Sequence, residues 1–324
     1  MFCMVVMTQL LWHFGKNVFE APSAVVLPVC DEVLGGMPAL SLPREEACVF
    51  YPSPSGRSTF IIYSVFANVG NPAAPLSELQ ELIILNWRDY ATRYDLAIVL
   101  VRDNLARMID EKSSPHWSKV ILLNILLEQP NVEWLFYLDY DAIFVDFSKS
   151  PQEYIFPMLD ENTAFLIANH CDGKSPAYQK NCEIDYKQNK TAIKSAALLS
   201  RATLNLNSCS PNSGVFLTKN NDAGKEISQT WLKSYELSKN GLFFAENGGI
   251  LNDQGGFNLA VTPKYINMTL KIVPRDDING FDGRYIRHFL GRSANDKKVK
   301  ILEALDNLKA VEEGKKEIES RMLE

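Results

Sequence analysis

Three short apolar runs separated by two helical patterns constrain this chain more than any other feature. The runs are STFIIYSVFAN (58–68), DLAIVLVRD (95–103) and EWLFYLDYDAIFVD (133–146), each of a length and composition that reads as a buried strand. Between them, LSELQELIILNWRDYATRY (76–94) carries apolar residues at helical spacing, and SPHWSKVILLNILLEQ (114–129) opens on Ser-Pro, a helix entry, before an apolar helix. Strand, helix, strand, helix, strand predicts an α/β fold with a mostly parallel central sheet flanked by helices. In open sheets of that kind ligands sit beyond the carboxyl ends of the strands, which is where Asp139 and Asp141 fall.

With 46% apolar and 22% charged residues, the 324-residue chain has the composition of a globular protein with a sizeable core. A net charge of −6 argues against a general nucleic-acid surface or an anionic membrane surface, both of which need a positive field. An anionic ligand must therefore meet a local basic cluster. The 6 cysteines include no CxxC pair. Cys30 with Cys48, and Cys171 with Cys182, each bracket a short polar or Pro-rich stretch, and bridges and buried thiols are both open for them.

The N-terminal MFCMVVMTQLLWHF (1–14) is apolar but shorter than the ~20 residues that span a bilayer, and no basic residues precede it. An anchor, a signal segment and an element packed on the fold are all open. The tripeptides Asn189-Lys190-Thr191 and Asn267-Met268-Thr269 would suit a protein of the secretory pathway. Residues 20–57 are rich in Pro, Ala, Ser and Gly and read as an irregular stem. The expected organisation is a hydrophobic segment and stem over 1–56, a folded domain over 57–293, and a charged amphipathic helix over 294–324, either solvated or partner-binding.

In an extended segment Asp139 and Asp141 would point to one side and Tyr140 to the other. Two carboxylates so close repel unless a cation or hydrogen bonds compensate. Mg²⁺ or Mn²⁺ supplies such a cation, accepting carboxylate oxygens and filling its other positions with phosphate oxygens and water. The bland alternative is a pair of loop or cap aspartates.

EWLFYLDYDAIFVD, preceded by HWSKVILLNILL and followed by NSGVFLTKN, NDQGGFN and HFLGR, resembles metal-dependent, nucleotide-sugar-using glycosyltransferases of the GT-A fold. It is most similar to the retaining family of yeast Golgi α-mannosyltransferases, xyloglucan xylosyltransferases and galactomannan galactosyltransferases, and the likeness spans residues 58–292. The resemblance implies transfer of a hexose or pentose from a UDP- or GDP-sugar to a glycan hydroxyl with retention. It also implies a Golgi or other secretory-pathway lumen, with a single-pass type II membrane anchor.

Carried onto this sequence, the resemblance implies that Asp139, Asp141 and His288 hold Mn²⁺ (or Mg²⁺) on the nucleotide diphosphate, with Gly291 completing HFLG. Arg284, Arg287 and Arg292 supply the local positive patch, and the second phosphate contact is open between Arg292 and Lys297. Asn86, Tyr90 and Arg93, with the strand exit at Ala67 and Asn68, border the base and ribose. Lys119 meets a phosphate or the carboxylates, while Trp117 reads as core. Asn212, Ser213 and Gly214 form a tight turn before a strand and contact the donor sugar, with Gly214 allowing close backbone approach. Asp253 and Gln254 lie beside the donor sugar and the acceptor.

Two features depart from the family pattern. Tyr140 stands in the middle of the DxD, where small residues are frequent, and HFLGRSAND lacks the usual Cys or Lys-Pro continuation. A phosphatase of the haloacid dehalogenase type also ends a strand with DxD, using Asp139 as nucleophile and Asp141 as general acid. Such an enzyme places the motif near the start of its domain, with Thr or Val where Ile143 stands here. A catalytically silent sugar-binding protein that keeps the fold is the third reading.

Overall fold

The structure, a computed structural model, describes residues 28–35, 42–66, 75–111, 113–169, 211–239, 252–266, 268–289 and 294–322. Residues 1–14, Ala67, Asn68, Cys171, Cys182, the sequon asparagines Asn189 and Asn267, Gly291 and Arg292 lie outside the described residues.

The three apolar runs become β2 (Phe60–Val65), β3 (Ala97–Val101) and β4 (Trp134–Leu138), every residue of which is buried. They join β1 (Cys48–Tyr51), β6 (Phe165–Asn169), β7 (Pro211–Lys219) and β8 (Leu270–Val273) in a sheet of order β1-β3-β2-β4-β7-β6-β8. β2, β3, β4, β6 and β8 run one way, and β1 and β7 the other. The sheet is thus mixed but mostly parallel, as expected. The order of strands reverses between the parallel neighbours β2 and β4, because β2 leads outward to β3 on one side while β4 opens toward β7 on the other. Such a switch point leaves a crevice at the carboxyl ends of the strands.

Alternation along each strand sends successive side chains to opposite faces and so builds two cores. Ile61, Tyr63, Val99, Leu135, Tyr137 and Phe216 face the helices Pro28–Gly35 (α1), Ser118–Leu126 (α3) and Asp222–Lys239 (α4). Ile62, Ile98, Phe136, Leu138 and Leu217 face α2 (Glu78–Arg93) and a small second sheet of β5 (Ala142–Phe144) and β9 (Ile286–His288). α2 begins at a full capping box, with Gln80 N–H donating to Ser77 Oγ and Ser77 N–H donating to Gln80 Oε1. Ser114 precedes Pro115 and a 3₁₀ turn that leads into α3, the expected Ser-Pro entry.

The ends of the domain differ from expectation. Residues 28–35 and 42–57, read as irregular stem, belong to the packed unit. Cys48–Tyr51 adds an antiparallel strand beside β3, and Cys30, Val33, Leu42 and Ala47 are core residues. Cys30 and Cys48 are disulfide-bonded across a sequence separation of 18, closing a loop whose lost unfolded-state entropy corresponds to about 3 kcal/mol. A strand of four residues in a Pro-rich setting carries too little periodicity to be read from sequence. At the other end, α6 (Ala294–Met322) is not merely solvated. Ile301 and Ala304 are buried against the second core, and Lys298 pairs with Glu78 at 3.0 Å. Among the described residues no helix is long and apolar enough to cross a membrane.

Candidate metal centre and active site

β4 ends at Leu138 and the chain turns at once, with Ala142 N–H donating to Asp139 O at 2.9 Å. A tight turn replaces the extended geometry expected for Asp-Tyr-Asp. Its consequence is nonetheless the expected one: the two carboxylates share a cluster, while Tyr140 projects outward at 45% exposure. Two non-local pairings complete the site. Antiparallel β7 places Val215 opposite Leu138, so that Asp139 N–H donates to Gly214 O at 2.7 Å. β9 places His288 opposite Ala142, and Phe289 N–H donates to Asp141 O at 3.1 Å.

One ligand atom each from Asp139, Asp141 and His288 lie within 4.8 Å of one another. His288 Nε2 is 2.9 Å from Asp141 Oδ1 and 3.6 Å from Asp139 Oδ2, yet this fully buried nitrogen makes no hydrogen bond. A buried imidazole nitrogen facing two carboxylates without a shared proton in hydrogen-bond geometry is the arrangement a divalent cation satisfies. One imidazole and two carboxylates suit Mn²⁺ and leave positions for phosphate oxygens or water. The residues present therefore fit the ion that the sequence implied.

Cations of the protein border the same carboxylates. Lys119 Nζ lies 3.1 Å from Asp139 Oδ1, 3.1 Å from Ser213 O and 3.2 Å from Asp253 Oδ2, and 4.8 Å above the Tyr137 ring. Burial would lower the pKa of this ammonium, but the charges of Asp139 and Asp253 outweigh burial and hold it above its ordinary value. Tyr137 donates its hydroxyl proton to Asp139 Oδ1 at 2.6 Å, and Ser213 Oγ donates to Asp253 Oδ2 at 2.6 Å. On the far side, Lys297 at the start of α6 donates to Asp141 Oδ2 at 2.5 Å. Burial pushes the Asp141 carboxyl up, but its charged neighbours, the Lys297 ammonium among them, outweigh burial and hold it below its ordinary value.

The structure thus gathers Asp139, Asp141, His288, Lys119, Ser213 and Asp253 into one cluster. Asp253 opens a helical turn, Asp253–Gly256 (α5), capped by Asn252, whose Oδ1 accepts from Gly255 N–H at 2.7 Å; Gln254 is half-buried on the same turn. Asn212, Ser213 and Gly214 lie inside β7 rather than in a turn before it, with a register shift opposite them at Ile167/Ala168. Asn212 Oδ1 accepts from Gly214 N–H at 2.9 Å and from Asn279 Nδ2 at 2.9 Å, so this side chain is engaged within the protein.

Asn86, Tyr90 and Arg93 serve the fold in this structure. The Asn86 amide pairs with both backbone groups of Phe144, Tyr90 donates to Lys149 O at 2.7 Å while stacking on Phe144, and Arg93 donates to Phe147 O at 3.0 Å. Their contacts brace residues 144–149, the continuation of the segment that carries Asp139 and Asp141. Trp117 is core, as expected. Arg284 is ion-paired with Asp277, which removes it from the expected positive patch. Sequence reading missed Asn279, a fully buried residue whose Oδ1 meets His288 Nδ1; nothing in INGFDGRYIRH singles it out.

Gly214 shows how close the backbone comes. A Cβ built on it would sit 2.0 Å from His288 Cε1 and 2.6 Å from Nδ1. Gly214→Ala is therefore expected to displace the imidazole and weaken Mn²⁺ binding by roughly tenfold or more. The free-Mn²⁺ signal in electron paramagnetic resonance measures this, and wild-type affinity in the variant would sink the idea.

A mostly parallel α/β fold with an Asp/Asp/His cluster that could hold a cation at the strand switch point defines the class. Residues 58–251 match the galactosyl transferase GMA12/MNN10 family, and the chain belongs to that family. It is 22% identical over 244 residues to an uncharacterized alpha-1,2-galactosyltransferase of Schizosaccharomyces pombe, covering 71% of this chain and 58% of that protein. It is 31% identical over 83 residues to the probable alpha-1,6-mannosyltransferase MNN10 of Saccharomyces cerevisiae, covering 25% of this chain and 21% of that protein. The aligned part thus spans less than two thirds of either relative. A solved glycosyltransferase involved in glycosylation of the major capsid of PBCV-1 aligns over 74% of this chain and 96% of its own, with 12% identity and a TM-score of 0.45.

Proposed function

We propose that this protein is a metal-dependent, retaining GT-A glycosyltransferase that moves a hexose or pentose from a UDP- or GDP-sugar to a glycan hydroxyl. The observation that carries the reading is the convergence of Asp139, Asp141 and His288, in a member of this family, around a buried imidazole nitrogen that makes no hydrogen bond. These three residues would hold Mn²⁺ or Mg²⁺, which when bound offsets the charge of the departing diphosphate.

The remaining roles follow from the protein's own groups. Asp253 is tied to Lys119 and Ser213 Oγ, which keeps its carboxylate oriented for electrostatic support of positive charge developing on the donor sugar rather than for attack. Gln254, on the same turn, would bind the donor or the acceptor. No protein nucleophile is then required: the acceptor hydroxyl attacks from the face the diphosphate leaves, and a departing phosphate oxygen takes its proton. Lys297 stands beside Asp141, where its ammonium would meet a phosphate; Gly291 and Arg292 keep the phosphate-side role that the resemblance implies. Asn86, Tyr90 and Arg93 would act on the nucleotide through the 144–149 segment they hold.

The Cys30–Cys48 bridge favours an oxidising compartment, in keeping with a secretory-pathway lumen. The phosphatase reading fares less well, because Tyr137 and Lys119 both hold Asp139 Oδ1 and the chain belongs to a glycosyltransferase family. The test is turnover. Slow Mn²⁺-dependent hydrolysis of a UDP- or GDP-sugar, lost on chelation, is expected. Phosphate release from p-nitrophenyl phosphate with no nucleotide-sugar turnover would overturn the assignment.

A further inference from the structure

The state of the His288 ring follows from a backbone amide two residues away from Asn212. Gly214 N–H can only donate, so the Asn212 side-chain atom it meets at 2.9 Å is the oxygen. That oxygen also receives the Asn279 side chain at 2.9 Å, so the Asn279 atom facing it is the NH₂ group. The other end of the Asn279 amide, its oxygen, then faces His288 Nδ1 and can only accept. Nδ1 must carry a proton, which leaves Nε2 as the nitrogen turned toward Asp139 and Asp141.

All three side chains are buried, with Asn212 3%, Asn279 0% and His288 0% exposed. Water cannot substitute for a missing partner without opening the site. The amide orientations and the ring tautomer, which side-chain geometry alone leaves ambiguous, are thus set by a peptide N–H of β7. The same strand lays Gly214 O on Asp139 N–H, so one segment fixes both the first carboxylate and the imidazole.

We propose that Asn279, held by Asn212, is a positioning residue that fixes His288 in the Nδ1–H form and aims Nε2 as a metal ligand. This rests on the cation-site reading above and adds to it a residue that touches neither the ion nor the substrate. Outer hydrogen-bond partners of ligating histidines fix ring orientation and raise ligand basicity, and their loss typically costs about 10–100-fold in metal affinity.

The test is ¹⁵N NMR of the histidine rings in the metal-free full chain at about pH 8, above the ordinary histidine range, combined with Mn²⁺ titration. His288→Gln assigns the resonances. In the wild type, His288 Nδ1 is expected to be protonated. In Asn279→Leu the Nδ1 preference should be lost and the Mn²⁺ Kd should rise by about 10–100-fold. Asn279→Asp keeps an acceptor for Nδ1–H but gives up the donor to Asn212 Oδ1, and should retain the Nδ1 signature that Asn279→Leu loses.

An unprotonated Nδ1 in the wild type overturns the proposal without any variant. So does an Asn279→Leu protein that binds Mn²⁺ as well as the wild type, or an Asn279→Asp protein that loses the Nδ1 signature. If wild-type Nδ1 is protonated but Mn²⁺ does not bind, the cation-site reading fails while the Asn212–Asn279–His288 relay stands.

Discussion

Asp141→Asn, like Asp141→Ala, is expected to abolish Mn²⁺-dependent binding of nucleoside diphosphates and to lower kcat/KM by about 10³ or more. The carboxylate is buried, supplies one of three clustered ligand atoms and sits 2.9 Å from His288 Nε2. Losing it removes a charge and a ligand together, and a catalytic cation stabilises a departing diphosphate by several kcal/mol, of which about 4 kcal/mol corresponds to that factor. A thermal-shift screen of UDP, GDP and their sugars, with and without Mn²⁺, reads the binding half. A ligand at 100 Kd stabilises a two-state wild type by about 2.7 kcal/mol, and the variants should show no such shift. Each variant is compared with and without Mn²⁺, so that any change in its metal-free Tm from losing the Asp141–Lys297 ion pair does not enter the shift. That separates loss of the site from loss of the fold. An Asp141→Asn protein that keeps the full Mn²⁺-dependent shift would sink the metal assignment.

Lys119→Met is expected to destabilise the protein by about 3–5 kcal/mol, the usual cost of removing one partner from a buried ion pair. Its ammonium is buried between Asp139 and Asp253, and the methionine keeps the apolar stem packed on Tyr137 while withdrawing the charge. The penalty arises from Asp253, which is 3% exposed and retains only the Ser213 hydroxyl as a described side-chain partner. Adding Asp253→Asn should therefore recover much of the loss, as a double-mutant cycle would show. Denaturant unfolding measures both. A single-variant cost below about 1 kcal/mol, or a double variant as unstable as the sum of its parts, would mean that the Lys119–Asp253 pair contributes no coupling.

Much of the scaffold was legible because its signals are local. FIIYSV, AIVLV and WLFYL announce buried strands through composition alone, helical spacing marks the first helix between them, and Ser114-Pro115 marks the start of the second. The site was legible in part. Asp139 and Asp141 follow directly from a strand end, and His288 followed from resemblance rather than spacing. Lys119 could be placed near phosphate or carboxylate but not assigned between them, since the decision depends on how α3 lies against the sheet. Cys48–Tyr51 was lost in a Pro-rich stretch because pairing with β3 and the bridge to Cys30, rather than periodicity, stabilise it there.

By itself, then, the sequence determined that a mostly parallel sheet would present two carboxylates at a strand's carboxyl end, because helix and strand periodicities and turn chemistry act over a few residues. Only the tertiary structure decided what those carboxylates meet. The antiparallel entry of β7 beside β4 and the pairing of β9 with β5 bring Gly214 and His288 to residues 139–142 across long stretches of chain. The links from Gly214 through Asn212 and Asn279 to His288 exist only after both pairings have formed. Hydrogen bonds between distant buried groups leave no periodic trace in a sequence, since each residue need satisfy only its partners in the folded state.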